Sequence, residues 1–230
     1  MFGHNEIVGQ KYFKDAPEDT LTVTSRFLTL QGEGPFAGRL AYFIRLAKCN
    51  LACSFCDTYF DSGTVLTYDE IFQSIDKDIN EFYTKRGMEV PVWATGNERR
   101  IVIVVTGGEP TLQKNLNGFL DRANQTFMWS QIESNGTLGC ALPDKTTMVV
   151  SPKCLEKNNV AVRYLTPKPA MLERADCLKF VMSADQNSPY NSVPDWAHEW
   201  ALNTGKSVFV SPMNIYLKEP AKSKELRAQK

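Results

Sequence analysis

Ile101 to Val105, a run of Ile-Val-Ile-Val-Val, gives way at once to Thr106-Gly107-Gly108-Glu109-Pro110. A short apolar run without polar alternation suits a strand covered on both faces, as in a parallel sheet. The paired glycines let the backbone beyond it pass close to a ligand, and a helix starting nearby would offer free N–H groups to an anion. The same grammar recurs along the chain. Ile132 leads to Glu133-Ser134-Asn135-Gly136, Met148 to Val150 leads to Ser151-Pro152-Lys153, Cys177 to Met182 carries Lys179, and Val208 to Val210 leads to Ser211-Pro212-Met213-Asn214. In a parallel barrel the C-terminal strand ends converge on one face, where their loops build the site; an antiparallel sandwich would scatter them. The intervening stretches are too few and irregular for eight repeats. The expected class is therefore α/β: a partial, six-stranded parallel β/α barrel with some helices shortened or absent and an open side for a substrate.

Upstream, Leu21 to Leu30 is rich in β-branched residues and predicts a strand running into Gln31-Gly32-Glu33-Gly34-Pro35-Phe36-Ala37-Gly38. An ordinary turn there would not require the polar pair Gln31 and Glu33. Ala41 to Ala47 predicts the next strand, whose tip delivers Arg45. A lone arginine in an apolar strand is commonly an edge residue reaching water. Four residues before Cys49, it reads better as a carboxylate clamp. Thr67 and Glu70 form a capping box ahead of Ile71, Phe72, Ile75, Ile79, Phe82 and Tyr83, one apolar helix face. A second helix is expected with Leu116, Phe119, Leu120, Ala123 and Phe127 on one face, weakened by Gly118. Residues 1–20 read as an irregular leader, 87–100 as an irregular insertion, Pro194 to Trp200 as a short helix and 218–230 as a charged tail. His198 reads as structural or exposed.

Between the second strand and the first helix lies Cys49-Asn-Leu-Ala-Cys53-Ser-Phe-Cys56. Three thiolates on one loop can ligate three irons of a 4Fe-4S cubane and leave the fourth iron open to a small molecule with an amine and a carboxylate. The alternative, structural zinc, normally takes four protein ligands in paired knuckles. Cys140, Cys154 and Cys177 are scattered singly and the histidines are His4 and His198, so a fourth ligand would come from far away.

The 230 residues, 43% of them hydrophobic, suffice for one sizeable core, so a single domain spanning 1–230 is expected. Lys+Arg and Asp+Glu both number 26, which removes any global field favouring nucleic acid or an anionic membrane. No apolar stretch has the length of a membrane span and the N-terminus lacks a signal-type run, so a cytoplasmic protein with reduced cysteines is expected.

With these motifs in order from Leu30 to Asn214, the sequence resembles the 7-carboxy-7-deazaguanine synthase family of the radical S-adenosylmethionine superfamily. The resemblance rests on LQGEGPFAGR, FIRLAKCNLACSFCDT, TGGEP, ESNGT, SPK and SPMN. It implies a lyase that converts 6-carboxytetrahydropterin to 7-carboxy-7-deazaguanine with loss of ammonia, in 7-deazapurine (queuosine-type) biosynthesis, through a 5'-deoxyadenosyl radical. It implies a 4Fe-4S cluster on Cys49, Cys53 and Cys56. S-adenosylmethionine would be held by Phe55, Cys56, Asp57, Gly108, Glu133, Asn135, Ser151, Pro152, Lys153, Ser211, Pro212, Met213 and Asn214. Substrate would be held by Leu30, Gln31, Gly32, Arg45 and Thr106, and magnesium (Mg2+) by Thr58. It also implies a homodimer and an electron donor such as flavodoxin or ferredoxin. The family often has QPMD and ETNG where this chain has SPMN and ESNG. Two other functions share the cysteine motif: an activase that makes a glycyl radical on a partner protein, and a non-catalytic zinc or iron-sulfur interaction module.

Overall fold

The computed structural model of the chain describes residues 5–213. The predicted runs form strands β1 (Thr20–Leu30), β2 (Leu40–Leu46), β4 (Arg99–Gly107), β5 (Phe127–Ser134), β6 (Thr146–Val150), β9 (Cys177–Met182) and β10 (Ser207–Pro212). With a short strand β3 (Thr64–Thr67) they make one eight-stranded sheet in the order β10-β9-β6-β5-β4-β2-β1-β3. From β10 to β2 every pairing is parallel, which gives the six parallel strands expected. The structure adds an antiparallel flank, because β1 pairs antiparallel with both β2 and β3. The insertion is shorter than expected: β4 already starts at Arg99, so the irregular stretch ends at Glu98.

Helices cover one face. The capping box forms as predicted, with the Glu70 amide donating to Thr67 Oγ1 at 3.2 Å and the Thr67 amide donating to Glu70 Oε2 at 2.7 Å, and it starts α1 (Tyr68–Thr84). Ile71, Phe72, Ile75, Ile79 and Tyr83 on α1 join Phe119, Leu120 and Ala123 of α2 (Leu116–Thr126) in the main core against the sheet. Gly118 has a packing reason: a Cβ there would lie 2.9 Å from the Tyr68 hydroxyl, so the glycine lets the two helices approach. Trp196 and Trp200 of α4 (Asp195–Thr204) pack on the same core, and His198 on that helix is exposed.

On the concave face, Ala41, Val102 and Val104 form a second, smaller apolar cluster with Phe36, Phe43 and Trp129. The loop after β1 crosses this face: Glu33 reaches Lys179 of β9 at 2.7 Å, although β1 and β9 lie near opposite ends of the strand order. Only a strongly curved sheet permits that contact. The leader is tied down too, as Phe13 is buried and Ile7 bridges to Cys49. Four strands and helices among the described residues went unforeseen. They are β3, the helix α3 (Pro169–Arg174), and a hairpin of β7 (Cys154–Lys157) and β8 (Val160–Tyr164) that forms a separate two-stranded sheet. Among the described residues no helix is long and apolar enough to cross a membrane. The charged tail at 218–230 lies outside the described residues.

Candidate active site at the strand tips

The parallel register sets the site. Arg45 of β2 pairs with Thr106 of β4, so both present side chains at the same level of the concave face. One strand further, Glu133 at the end of β5 pairs with Val149 of β6, and beyond that Val149 pairs with Cys177 of β9. These tips and their loops enclose a cavity of about 470 Å3. It collects Gln31, Gly32, Arg45, Cys49, Cys53, Phe55, Cys56, Asp57, Thr58, Thr106, Gly108, Glu133, Asn135, Ser151, Lys153, Ser211 and Pro212 from the residues singled out in the sequence. Leu30, Pro152 and Met213 are not part of its wall: Leu30 is 63% exposed and Pro152 is buried behind it. Asn214 lies outside the described residues.

The cysteine loop hangs from the tip of β2. Lys48 takes a left-handed backbone (φ 69°), turning the chain out of the strand. Gly108 and Glu109 donate their amides to Leu46 and Lys48 carbonyls, both at 2.8 Å, so the Gly-Gly tip of β4 lies directly on the root of the cysteine loop. A Cβ on Gly108 would sit 1.8 Å from the Lys48 carbonyl oxygen, and one on Gly107, at φ +110°, 2.2 Å from the Leu46 nitrogen. The glycines were expected to admit a ligand. What requires them is the close passage against the cysteine loop, although both still border the cavity.

Cys49 is buried and Cys53 and Cys56 half-buried, all with free thiols. Burial pushes all three thiols up, Cys53 to about 12 despite the opposing charge of Lys153. Raised in this way they are poor nucleophiles, and a bound metal is what would hold them as thiolates. Three free cysteines within eight residues, all lining one cavity, are the donor set that a cubane with one iron left open asks for.

Glu109 organises the loops around the cysteines. It is 1% exposed; Oε1 accepts from the Thr111 amide (3.1 Å), the Thr111 hydroxyl (2.6 Å) and the Ser134 hydroxyl (2.8 Å), and Oε2 accepts from the Asn135 amide (2.8 Å). Asn135 in turn donates to Asn50 at 2.9 Å and accepts from the Thr137 amide at 2.9 Å. Asn135, marked in the sequence for S-adenosylmethionine, lines the cavity and also ties down the cysteine loop through Asn50. A charged residue straight after a Gly-Gly tip was the available signal for Glu109.

Across the cavity, Lys179 donates to Glu33 and Glu133, each at 2.7 Å, and Glu133 also accepts from Gln131 at 2.9 Å. Burial alone would lower the Lys179 ammonium, but the two carboxylates more than offset this and raise it, so it stays charged. The signal for this triad was a lysine inside the apolar run of β9. Lys153, by contrast, has no carboxylate partner among the described residues: it donates to the Ser151 carbonyl and hydroxyl at 2.7 and 2.6 Å, and burial lowers its pKa. Gln31, 3% exposed, has an Nε2 group with no partner among the described residues. Arg45 holds Asp57 only loosely, at 3.6 Å, and Thr58 donates to Asp57 at 3.0 Å. The site thus offers an unpaired lysine, an unspent amide donor and a loosely held arginine, all suited to a ligand carrying carboxylates.

A curved, mostly parallel sheet with three cysteines, a Gly-Gly tip and buried cations at the mouth is the build of a radical S-adenosylmethionine enzyme. Comparison with known proteins narrows the class. No family model matches the chain. It is 34% identical over 185 residues to the 7-carboxy-7-deazaguanine synthase of Rickettsia prowazekii, covering 80% of this chain and 69% of that one. It is 31% identical to the protein of the same name from Rhodospirillum rubrum (84% and 71% covered) and 32% identical to that of Bacteroides thetaiotaomicron (73% and 74%). The crystal structure of QueE from Escherichia coli has the same fold, with a TM-score of 0.59 at 21% identity over 96% of this chain and 93% of that one. The chain belongs to the 7-carboxy-7-deazaguanine synthase family.

Proposed function

We propose that this protein converts 6-carboxytetrahydropterin to 7-carboxy-7-deazaguanine with release of ammonia. The observation that carries the reading is a single cavity lined by the three cysteines together with Gly108, Asn135, Ser151 and Lys153 and with Gln31, Gly32, Arg45 and Thr106. Cys49, Cys53 and Cys56 would hold a 4Fe-4S cluster. The bound cluster supplies the electron that cleaves S-adenosylmethionine, and the protein's part is binding, orientation and exclusion of water.

Phe55, Cys56, Asp57, Gly108, Glu133, Asn135, Ser151 to Lys153 and Ser211 to Asn214 are proposed for S-adenosylmethionine, with the Lys153 ammonium matched to its carboxylate. Arg45 is the clamp for the pterin carboxylate, because its present partner is distant enough to be exchanged. Gln31 offers its unpartnered amide N–H groups to the heterocycle, alongside Leu30, Gly32 and Thr106. Glu33 adds a carboxylate acceptor suited to the amino and ring N–H groups of a pterin. Magnesium is proposed at Thr58, whose side-chain oxygen would supply one hard ligand to a cation that helps hold the substrate carboxylate. A single domain, a homodimer in the cytoplasm and an external flavodoxin or ferredoxin donor complete the reading.

The test is an oxygen-free assay of reconstituted protein with S-adenosylmethionine, reductant and the pterin. Formation of the deazapurine carboxylate and one equivalent of ammonia supports it. Cleavage of S-adenosylmethionine without any deazapurine would point to the glycyl-radical activase chemistry instead.

A further inference from the structure

The β7–β8 hairpin, which the proposed reaction does not use, is fastened to the cysteine loop at two points. Glu156 of β7 accepts the backbone amide of Ser54, the residue between Cys53 and Phe55, at 2.9 Å. Tyr190, buried at 2% exposure, stands edge-on to the Phe55 ring at 5.0 Å and accepts the Cys154 amide at 2.7 Å. Its hydroxyl also lies 3.5 Å from the other Glu156 oxygen. One carboxylate thus accepts a main-chain hydrogen bond from within the three-cysteine motif and adds a negative charge next to it.

An iron-sulfur cluster's reduction potential follows its surrounding charge, the hydrogen bonds its sulfurs receive and its exposure to solvent. An amide N–H pointing at a cluster sulfur raises the potential, and a nearby carboxylate lowers it. Glu156 acts in one direction on both counts: it diverts the Ser54 N–H from sulfur and contributes the charge. We propose that Glu156 is a positioning residue that holds low the reduction potential of a cluster bound by Cys49, Cys53 and Cys56. This inference rests on the cluster reading above.

The test compares reconstituted wild type, Glu156→Gln and Glu156→Ala, with iron and sulfide counted and the midpoint potential measured by mediated dithionite titration. Glutamine keeps an acceptor for Ser54 and loses the charge; alanine loses both. Equal cluster content is expected, with a potential shifted upward in the glutamine variant and further upward in the alanine variant. In the cluster-free proteins, hydrogen exchange at the Ser54 amide is expected to quicken in Glu156→Ala. Three coincident potentials, a downward shift, or loss of the cluster from the glutamine variant would overturn the proposal while leaving the cluster reading intact. A wild type that takes up no iron and sulfide would overturn both.

Discussion

Replacing Glu109 by glutamine tests whether this carboxylate is the keystone of the strand-tip loops. The side chain is buried and accepts four hydrogen bonds, three at Oε1 and one at Oε2. Glutamine can keep the three by placing its oxygen at the Oε1 position. Its amide nitrogen then faces the Asn135 N–H, donor against donor. A buried donor left without its acceptor costs about 1–3 kcal/mol, and the remaining bonds weaken from charge-assisted to neutral. We expect a loss of about 2–4 kcal/mol, a large part of the 5–15 kcal/mol typical of a folded domain. At roughly 2–4 °C per kcal/mol for a chain of this size, the melting temperature of the cluster-free protein should fall by about 4–16 °C. Alanine, which strands all four donors, should cost more than glutamine. Urea unfolding checks the same free energy, with an unchanged m-value expected. A glutamine variant within about 0.5 kcal/mol of wild type, the range of ordinary surface changes, would refute the reasoning.

Other substitutions probe the remaining contacts. Gly108→Ala should disrupt the cysteine loop, since its Cβ would stand 1.8 Å from the Lys48 carbonyl; wild-type iron content and melting temperature would contradict this. Lys179→Met leaves Glu33 and Glu133 without their shared cation and should weaken pterin binding about tenfold, about 1.4 kcal/mol, read by calorimetry; unchanged affinity would remove the triad from substrate binding. For Glu33, burial works to raise the carboxyl, but the Lys179 charge and hydrogen bond, with one from Ser211, hold it below the ordinary 4.5. Its ion pair therefore adds stability above pH 4.5 and loses it as pH falls through the lower folded value, so the stability gap between wild type and Glu33→Gln should close in acid. A gap constant across that range would contradict the assignment. Thr58→Val and withdrawal of magnesium should each reduce turnover; unchanged kinetics in both would remove the metal from the account.

The sequence exposed what burial and periodicity enforce. The Ile101–Val105 run had to be an inner strand, and the Thr67–Glu70 capping box marked the start of α1 to the residue. Elements that bury little left fainter traces. β3 and β8 are mostly exposed, so no alternation revealed them. The β7–β8 hairpin did carry a signal, since it turns on Asn158-Asn159, both in the left-handed region at φ 51° and 63°, as a tight two-residue hairpin turn requires. At the site, cysteines and glycines were legible because few other residues can do their work. The roles of Glu109, Asn135 and the Glu33–Lys179–Glu133 triad were not, because they depend on partners up to 146 residues away.

The central claim is that Cys49, Cys53 and Cys56 are the protein ligands of a cluster whose remaining iron takes S-adenosylmethionine. Electron paramagnetic resonance of the dithionite-reduced, reconstituted protein, recorded with and without S-adenosylmethionine, tests it most directly. The account predicts a 4Fe-4S signal that changes when the cofactor is added and is lost when any of the three cysteines becomes alanine. A protein that binds zinc alone, or a cluster signal indifferent to S-adenosylmethionine, would contradict it.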